Sequence, residues 1–345
     1  MKKIPLLLKK LCAASFRGDG TAYALFLFAG VALISYFLTG GLLPHIEKRV
    51  QNPNVVSLGD TSALADKSSL QLVNIMPVGS DVIPTPNPQQ QECLENKAFT
   101  FLLDVSGSMA QDNKIDELKN ALNNFLALMQ DTTAVSIIIF DGDSEETPGG
   151  AKLLAPFGYY KDQQDSIGGL VNGLYPRSFT HMRTGFQLAS STLSSAMSLP
   201  QFTDYDHKLI LFSDGVPETV EDENRAEADG LQDGQSSSYC EVVFIKEGDG
   251  SDARCFSVAQ DPRTPPSVAD QIKFGLQKPV ELFSVGIVSG DPNDDPIRDF
   301  EMKPYLQQLL DDVASTPTET HSILLSDPKQ LTSVFNLVFQ NVCHP

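Results

Sequence analysis

The sequence predicts an α/β protein: a doubly wound, mostly parallel sheet flanked by helices, preceded by one transmembrane helix. Three observations predict it. From Cys93 onward, short apolar runs alternate with amphipathic stretches of helical period. Two of those runs, FTFLLD at 99–104 and KLILFSD at 208–214, end on an aspartate where a buried strand should end. Residues 22–43, AYALFLFAGVALISYFLTGGLL, hold no charge at all.

The N-terminal segments follow from charge and hydropathy. Residues 1–21 carry Lys2, Lys3, Lys9, Lys10 and Arg17 against the single acid Asp19, and form a basic cytoplasmic tail. As a helix, the uncharged run at 22–43 would span about 33 Å at about 1.5 Å per residue, enough for a bilayer core. The basic flank directs the N-terminus to the cytoplasm and the remainder outside. A cleaved signal peptide has an apolar core of roughly 7–15 residues and a small-x-small exit. Neither is present, so the run reads as a retained anchor. Residues 44–92 are rich in Pro, Asn, Gln, Ser and Asp, with PTPNPQQQE at 84–92 extended and a short helix near 62–70. They read as a stalk. The globular domain is expected over 93–343.

Within that domain the elements follow in order. Residues 99–104 form an apolar strand. Residues 113–130 form a helix with Ile115, Leu118, Leu122, Phe125, Leu126 and Met129 on one face. AVSIIIFD at 134–141 is a second strand, 151–157 a short edge strand and 163–174 a weak helix. Residues 184–197 make a better helix, with Phe186, Ala189, Leu193, Ala196 and Met197 aligned. Strands follow at 208–214 and 280–289, a helix at 300–314 and a strand at 322–325. Asp327-Pro328 then opens the last helix, Asp as cap and Pro at the first helical position. Residues 220–260, acidic and glycine-rich, break the alternation and read as an insertion near the rim of the sheet.

The chain has 345 residues and a net charge of −19. The tail's net charge is +4, so residues 22–345 carry −23 (−19 minus +4), which excludes nucleic acid as a partner and keeps the domain off anionic membrane surfaces. Of five cysteines, Cys12 precedes the anchor, while Cys93, Cys240, Cys255 and Cys343 lie beyond it. An even number in an oxidising compartment suggests two disulfides. We expect Cys93–Cys343, stapling the two ends of the domain, and Cys240–Cys255, closing a local loop.

The two strand-end aspartates carry the chemistry. In an open doubly wound sheet, ligands collect beyond the carboxyl ends of the strands where strand order reverses. If 99–104 and 208–214 are the central strands, Asp104 and Asp214 meet there. Ser106 and Ser108 lie on the loop after the first strand, where Gly107 permits a tight curl. Thr180 comes from a third loop, and Gly215 gives the second strand's loop room. Two carboxylates and three hydroxyls are hard oxygen donors, suited to Mg²⁺, with Mn²⁺ or Ca²⁺ as alternatives. Neutral hydroxyls leave such a cation incompletely coordinated, so a partner's carboxylate can complete its shell and an acidic protein can bind an acidic partner.

Other signals are weaker. Asp291–Asp295 imitates the start of a calcium loop but has Pro296 and Met302 where Gly and a bidentate Glu belong. The acidic run 141–146 reads as a loop after its strand. His181 and His207 are each lone histidines. No GxSxG, CxxC or phosphate-loop motif occurs.

These motifs resemble a von Willebrand factor type A domain with a complete metal-ion-dependent adhesion site, over about residues 98–340. DVSGSM at 104–109 matches the family's first motif. Thr180, in SFTHMRTGF and five residues before Gly185, matches its threonine, and Asp214 in LFSDG its last aspartate, with Ser213 where threonine is frequent. The resemblance implies that Ser106, Ser108 and often Thr180 touch Mg²⁺ directly, and that Asp104 and Asp214 act partly through water. The insert after Gly215 departs from compact members. The tail, anchor and exported domain together are similar to TadG-like proteins of bacterial Flp (tight adherence) pilus loci, and RVQN at 49–52 and DTSALA at 60–65 resemble the segment after the anchor there. Related pilin-like proteins carry Glu at the fifth position after the processing glycine. Leu25 follows Gly20 and Tyr23 follows Gly18 at that offset, which argues against processing.

The expectation is a single-pass protein of the bacterial inner membrane with its A-domain outside the cytoplasm. It binds a protein partner's carboxylate through a divalent metal, in pilus assembly or anchoring or in adhesion, with other pilus-assembly components as candidate partners. It is not expected to be an enzyme: a metal-assisted hydrolase would need a general base that no residue is marked to supply. A regulatory adaptor for a cytoplasmic ATPase is the main alternative.

Overall fold

The computed structural model describes residues 93–245, 253–288 and 302–343. The anchor and stalk expectations and the acidic run 291–295 lie outside the described residues. Among the described residues, no helix is long and apolar enough to cross a membrane.

Six strands form one sheet: β1 (Lys97–Asp104), β2 (Ala134–Phe140), β3 (Ala151–Tyr159), β4 (Asp206–Ser213), β7 (Glu281–Ile287) and β8 (Ser322–Leu325). The order is β3-β2-β1-β4-β7-β8. Only the β2–β3 pairing is antiparallel; β1–β2, β1–β4, β4–β7 and β7–β8 are parallel. A separate antiparallel hairpin joins β5 (Cys240–Ile245) to β6 (Ala253–Ser257). The longer helices are α1 (Lys114–Leu126), α2 (Gln164–Asn172), α3 (Met182–Met197), α4 (Val220–Ala228), α5 (Lys303–Val313) and α6 (Leu331–Cys343).

The central strands are buried along almost their whole length. That is why they read as continuous apolar runs: helices cover both faces of a parallel sheet. Their side chains alternate between two cores. Phe99, Phe101 and Leu103 of β1 join Leu122 and Phe125 of α1 and Phe335 and Val338 of α6. Leu102 joins Phe186 and Leu193 of α3 and Leu306 and Leu310 of α5. On the first face, Phe125 meets Phe99 and Phe101 edge-on at centroid distances of 5.4 and 5.6 Å. Such pairs add about 0.5–1.5 kcal/mol each beyond their buried area.

β1 and β4 lie side by side, Leu103 level with Phe212. The chain goes from β1 to β2 on one side, and β4 takes the other. The reversal of strand order therefore falls between β1 and β4. Both expected disulfides are present: Cys93–Cys343, across a sequence separation of 250, and Cys240–Cys255, across 15.

The expected insertion is itself ordered into α4 and the β5–β6 hairpin, elements that the periodicity of 220–260 did not announce. Thr219 caps α4, its hydroxyl accepting from Asp222 N at 3.1 Å. α1 begins at Lys114 and ends at Leu126, four residues short of the expected end. Residues 127–130 leave the helix through a turn in which Leu128 N and Met129 N donate to Phe125 O and Leu126 O.

Candidate metal centre

Asp104 is the last residue of β1 and Asp214 the first after β4; both are buried. The loop after β1 bends back, so that Ser106 N donates to Asp104 Oδ1 at 2.8 Å. Asp104 Oδ2 accepts from Ser213 Oγ at 2.6 Å. Ser106 Oγ and Ser108 Oγ lie 3.0 Å apart, and Ser108 Oγ donates to Asp214 Oδ1 at 2.6 Å. Asp214 Oδ2 accepts from Lys114 Nζ at 3.0 Å. Four of the five residues predicted as ligands thus share one hydrogen-bonded cluster, joined by Ser213 and Lys114.

Thr180 belongs to a third loop tied to both others. Gly107 N donates to Ser178 O at 2.9 Å, and Arg177 N to Val105 O at 2.8 Å. Thr180 N donates to Glu218 O at 3.2 Å and Glu218 N to Thr180 O at 3.1 Å, pinning it to the loop beyond Gly215. The Thr180 side chain is buried, and these backbone bonds tie its loop to the loops after β1 and β4. Gly107 suits the close approach of these loops: a Cβ there would lie a tight 3.2 Å from Ser178 O. A Cβ on Gly215 would stand 4.0 Å from Thr180 Oγ1, so its absence leaves open space beside that hydroxyl.

Behind the Thr180 loop, Arg177 Nε donates to Asp141 Oδ2 at 2.5 Å, and Thr147 Oγ1 donates to Asp141 Oδ1. His181 packs against Gly150, and burial lowers its pKa. His207 sits near the opposite end of β4, with Nε2 3.3 Å from Phe202 O.

Burial pushes the Asp104 carboxyl up to about 7, and the nearby Asp214 charge adds to the shift, while hydrogen bonds from Ser213 and Ser106 oppose it. A buried site that resists holding both negative charges accommodates a cation. Among the described residues there is no group of three or more His, Cys, Asp or Glu that could hold a metal ion. A cation here would rely on hydroxyl oxygens beside the two carboxylates, and that all-oxygen set fits a small, hard divalent ion. The cluster opens into a cleft of about 480 Å³, lined among others by Gly107, Ser108, Gly215, Glu223 and Arg254. The insertion supplies Glu223 from α4 and Arg254 from β6, as its expected position at the rim requires.

Sequence reasoning missed Lys114. The signal was present: a lysine stands at the first position of the helix it opens, where the macrodipole disfavours cations. Asn113 before it is left-handed, with φ 58°, and forms no side-chain cap.

The profile of the von Willebrand factor type A domain matches residues 99–216, a span that includes all five predicted ligands. No curated protein matches the sequence significantly. Among solved structures, the chain is similar to the pilus adhesin SpaC from Lactobacillus rhamnosus GG in its open conformation, at 16% identity and a TM-score of 0.48, over 72% of this chain and 30% of that one. It is also similar to proximal thread matrix protein 1 from the mussel byssus with a zinc-occupied MIDAS motif, at 15% identity and a TM-score of 0.45, over 73% and 46%. A third is a von Willebrand factor type A structure from Catenulispora acidiphila, at 13% identity and a TM-score of 0.43, over 72% and 43%. The chain spans less than half the length of each of these three.

Proposed function

We propose, from the match of residues 99–216 to the von Willebrand factor type A profile, that this chain captures an acidic protein partner through a divalent cation held at Asp104, Ser106, Ser108, Thr180 and Asp214. One observation carries the reading: oxygen-bearing side chains from loops at the ends of β1 and β4 meet in a single cluster that opens to a cleft. Ser106 and Ser108 supply neutral donors, and Asp104 and Asp214 the negative charge. A divalent ion held there, Mg²⁺ by donor type, would supply a Lewis-acidic site for a carboxylate oxygen of the partner. Gly107 and Gly215 keep that approach clear of side chains.

The domain is displayed outside the bacterial inner membrane, on a stalk held by the anchor at 22–43. The two disulfides support an oxidising compartment over a cytoplasmic adaptor role. The basic tail, single anchor and exported A-domain support a place in assembly or anchoring of a Tad/Flp-type pilus.

The test is metal binding and partner capture by the full-length chain and its Asp104→Ala variant. The fold of the variant is checked by circular dichroism and by its melting temperature. Its affinity for Mg²⁺ should fall at least about tenfold, and capture of envelope proteins should be lost, as it should with EDTA. Capture that survives both treatments would rule out the metal mechanism.

A further inference from the structure

We propose that Lys114 is a built-in counter-cation of this centre, one that weakens divalent binding and leaves the loaded site with a net positive charge, so that an external carboxylate is needed to neutralise it. The inference rests on the metal reading above and adds a residue to it. Lys114 Nζ lies 3.0 Å from Asp214 Oδ2, and both side chains are wholly buried. Burying an ammonium is costly unless it is paired, and Asp214 is a partner within hydrogen-bond distance.

The helix start supports a role beyond packing. α1 opens with two consecutive left-handed residues, Asp112 at φ 52° and Asn113 at φ 58°. There is no side-chain cap, and a cation occupies the first position. Each feature is locally unfavourable, and together they carry Lys114 inward to Asp214. Local rules broken together in this way mark a functional site.

The charge balance states what Lys114 does. Asp104 and Asp214 would neutralise a divalent ion by themselves. With Lys114 added, these three side chains and a divalent ion together would carry one excess positive charge at the head of the cleft, where it would attract an anion. Without the metal, Lys114 offsets Asp214 and holds it against Ser108. Lys114 is thus a positioning residue with two effects: it keeps the empty site folded, and it couples metal loading to capture of a carboxylate.

The experiment titrates the full-length chain with Mn²⁺ alone by calorimetry, with and without excess acetate, for wild type, Lys114→Met and Lys114→Gln. Both variants should bind Mn²⁺ at least tenfold more tightly than wild type, because a repelling charge is gone. Acetate should strengthen Mn²⁺ binding in wild type and do so less in the variants. Without metal, the variants should melt lower; saturating Mn²⁺ should narrow that gap. A lysine that only supports the fold would give the opposite sign, weaker Mn²⁺ binding in both variants. That outcome, or unchanged affinity in variants that keep their fold, overturns the inference and leaves the metal reading standing. A wild-type chain that binds no Mn²⁺ overturns both.

Discussion

Asp141 closes β2 as Asp104 closes β1, yet the two carboxylates have different fates. Asp141 is held by Arg177 and Thr147 behind the Thr180 loop, and its pairing is complete within the fold. Burial raises its pKa, and the hydrogen bonds from Thr147 and Arg177 oppose that shift. Asp104 accepts from Ser213 and from the side chain and backbone of Ser106, and faces another carboxylate. Asp141 thus has a fixed cation among its partners, while Asp104 faces a second carboxylate. Arg177→Met should strand a buried carboxylate and cost about 3 kcal/mol. Urea denaturation measures this, and a loss below about 0.5 kcal/mol would show the ion pair to be dispensable. Because Arg177 precedes Ser178 and Thr180, the same variant should also weaken Mn²⁺ binding.

Among the elements, the strands were legible and the insertion was not. β8 matches its expected bounds, and β1, β2, β4 and β7, which are buried on both faces and show their apolar character residue by residue, lie within two residues of theirs. α4 and the β5–β6 hairpin gave weaker patterns: α4 buries only Ala226, so no apolar stripe announces it. At the end of the sheet opposite the metal loops, a chain of ion pairs crosses the strands. Lys97 pairs with Asp206 at 2.6 Å, Asp206 with Lys208 at 2.9 Å, Lys208 with Glu281, and Glu281 with His321 at 2.7 Å. Burial alone would lower the His321 pKa, but its hydrogen bond to Glu281 holds it above 6.5. Burial likewise opposes ionisation of Glu281, yet His321 and Lys208 bring its pKa down to about 2. The sign follows. The His321 contribution is full below 6.5 and is lost as pH rises through its folded value. The Glu281 contribution is present above 4.5 and is lost only as pH falls toward about 2. His321→Asn should therefore cost more stability at about pH 6 than at about pH 9. Equal denaturation losses at the two pH values would show that His321 is neutral in the fold.

For the whole molecule, Cys93–Cys343 ties the start of the described domain to the end of α6, a separation of 250 residues. A loop that long implies a stabilisation of roughly 3–5 kcal/mol, mainly through the unfolded chain. The Cys93→Ser/Cys343→Ser double variant should lose that much in guanidinium denaturation while keeping its Mn²⁺ affinity, since neither cysteine approaches the cluster. Loss of metal binding in a folded double variant would mean that the staple shapes the site. Cys240–Cys255 closes only a separation of 15 within the insertion and should influence the cleft wall more than global stability.

By itself the sequence determined the sheet, its two covering layers, both disulfide pairings and the residues that meet at the strand ends. All of these follow from period, composition and spacing along the chain. Only the tertiary structure decided which charges face one another: that Asp141 is neutralised by Arg177, that Asp214 has Lys114, and that the insertion forms one wall of the cleft. Charge pairing depends on distances between elements far apart in sequence, and local pattern carries no record of those distances.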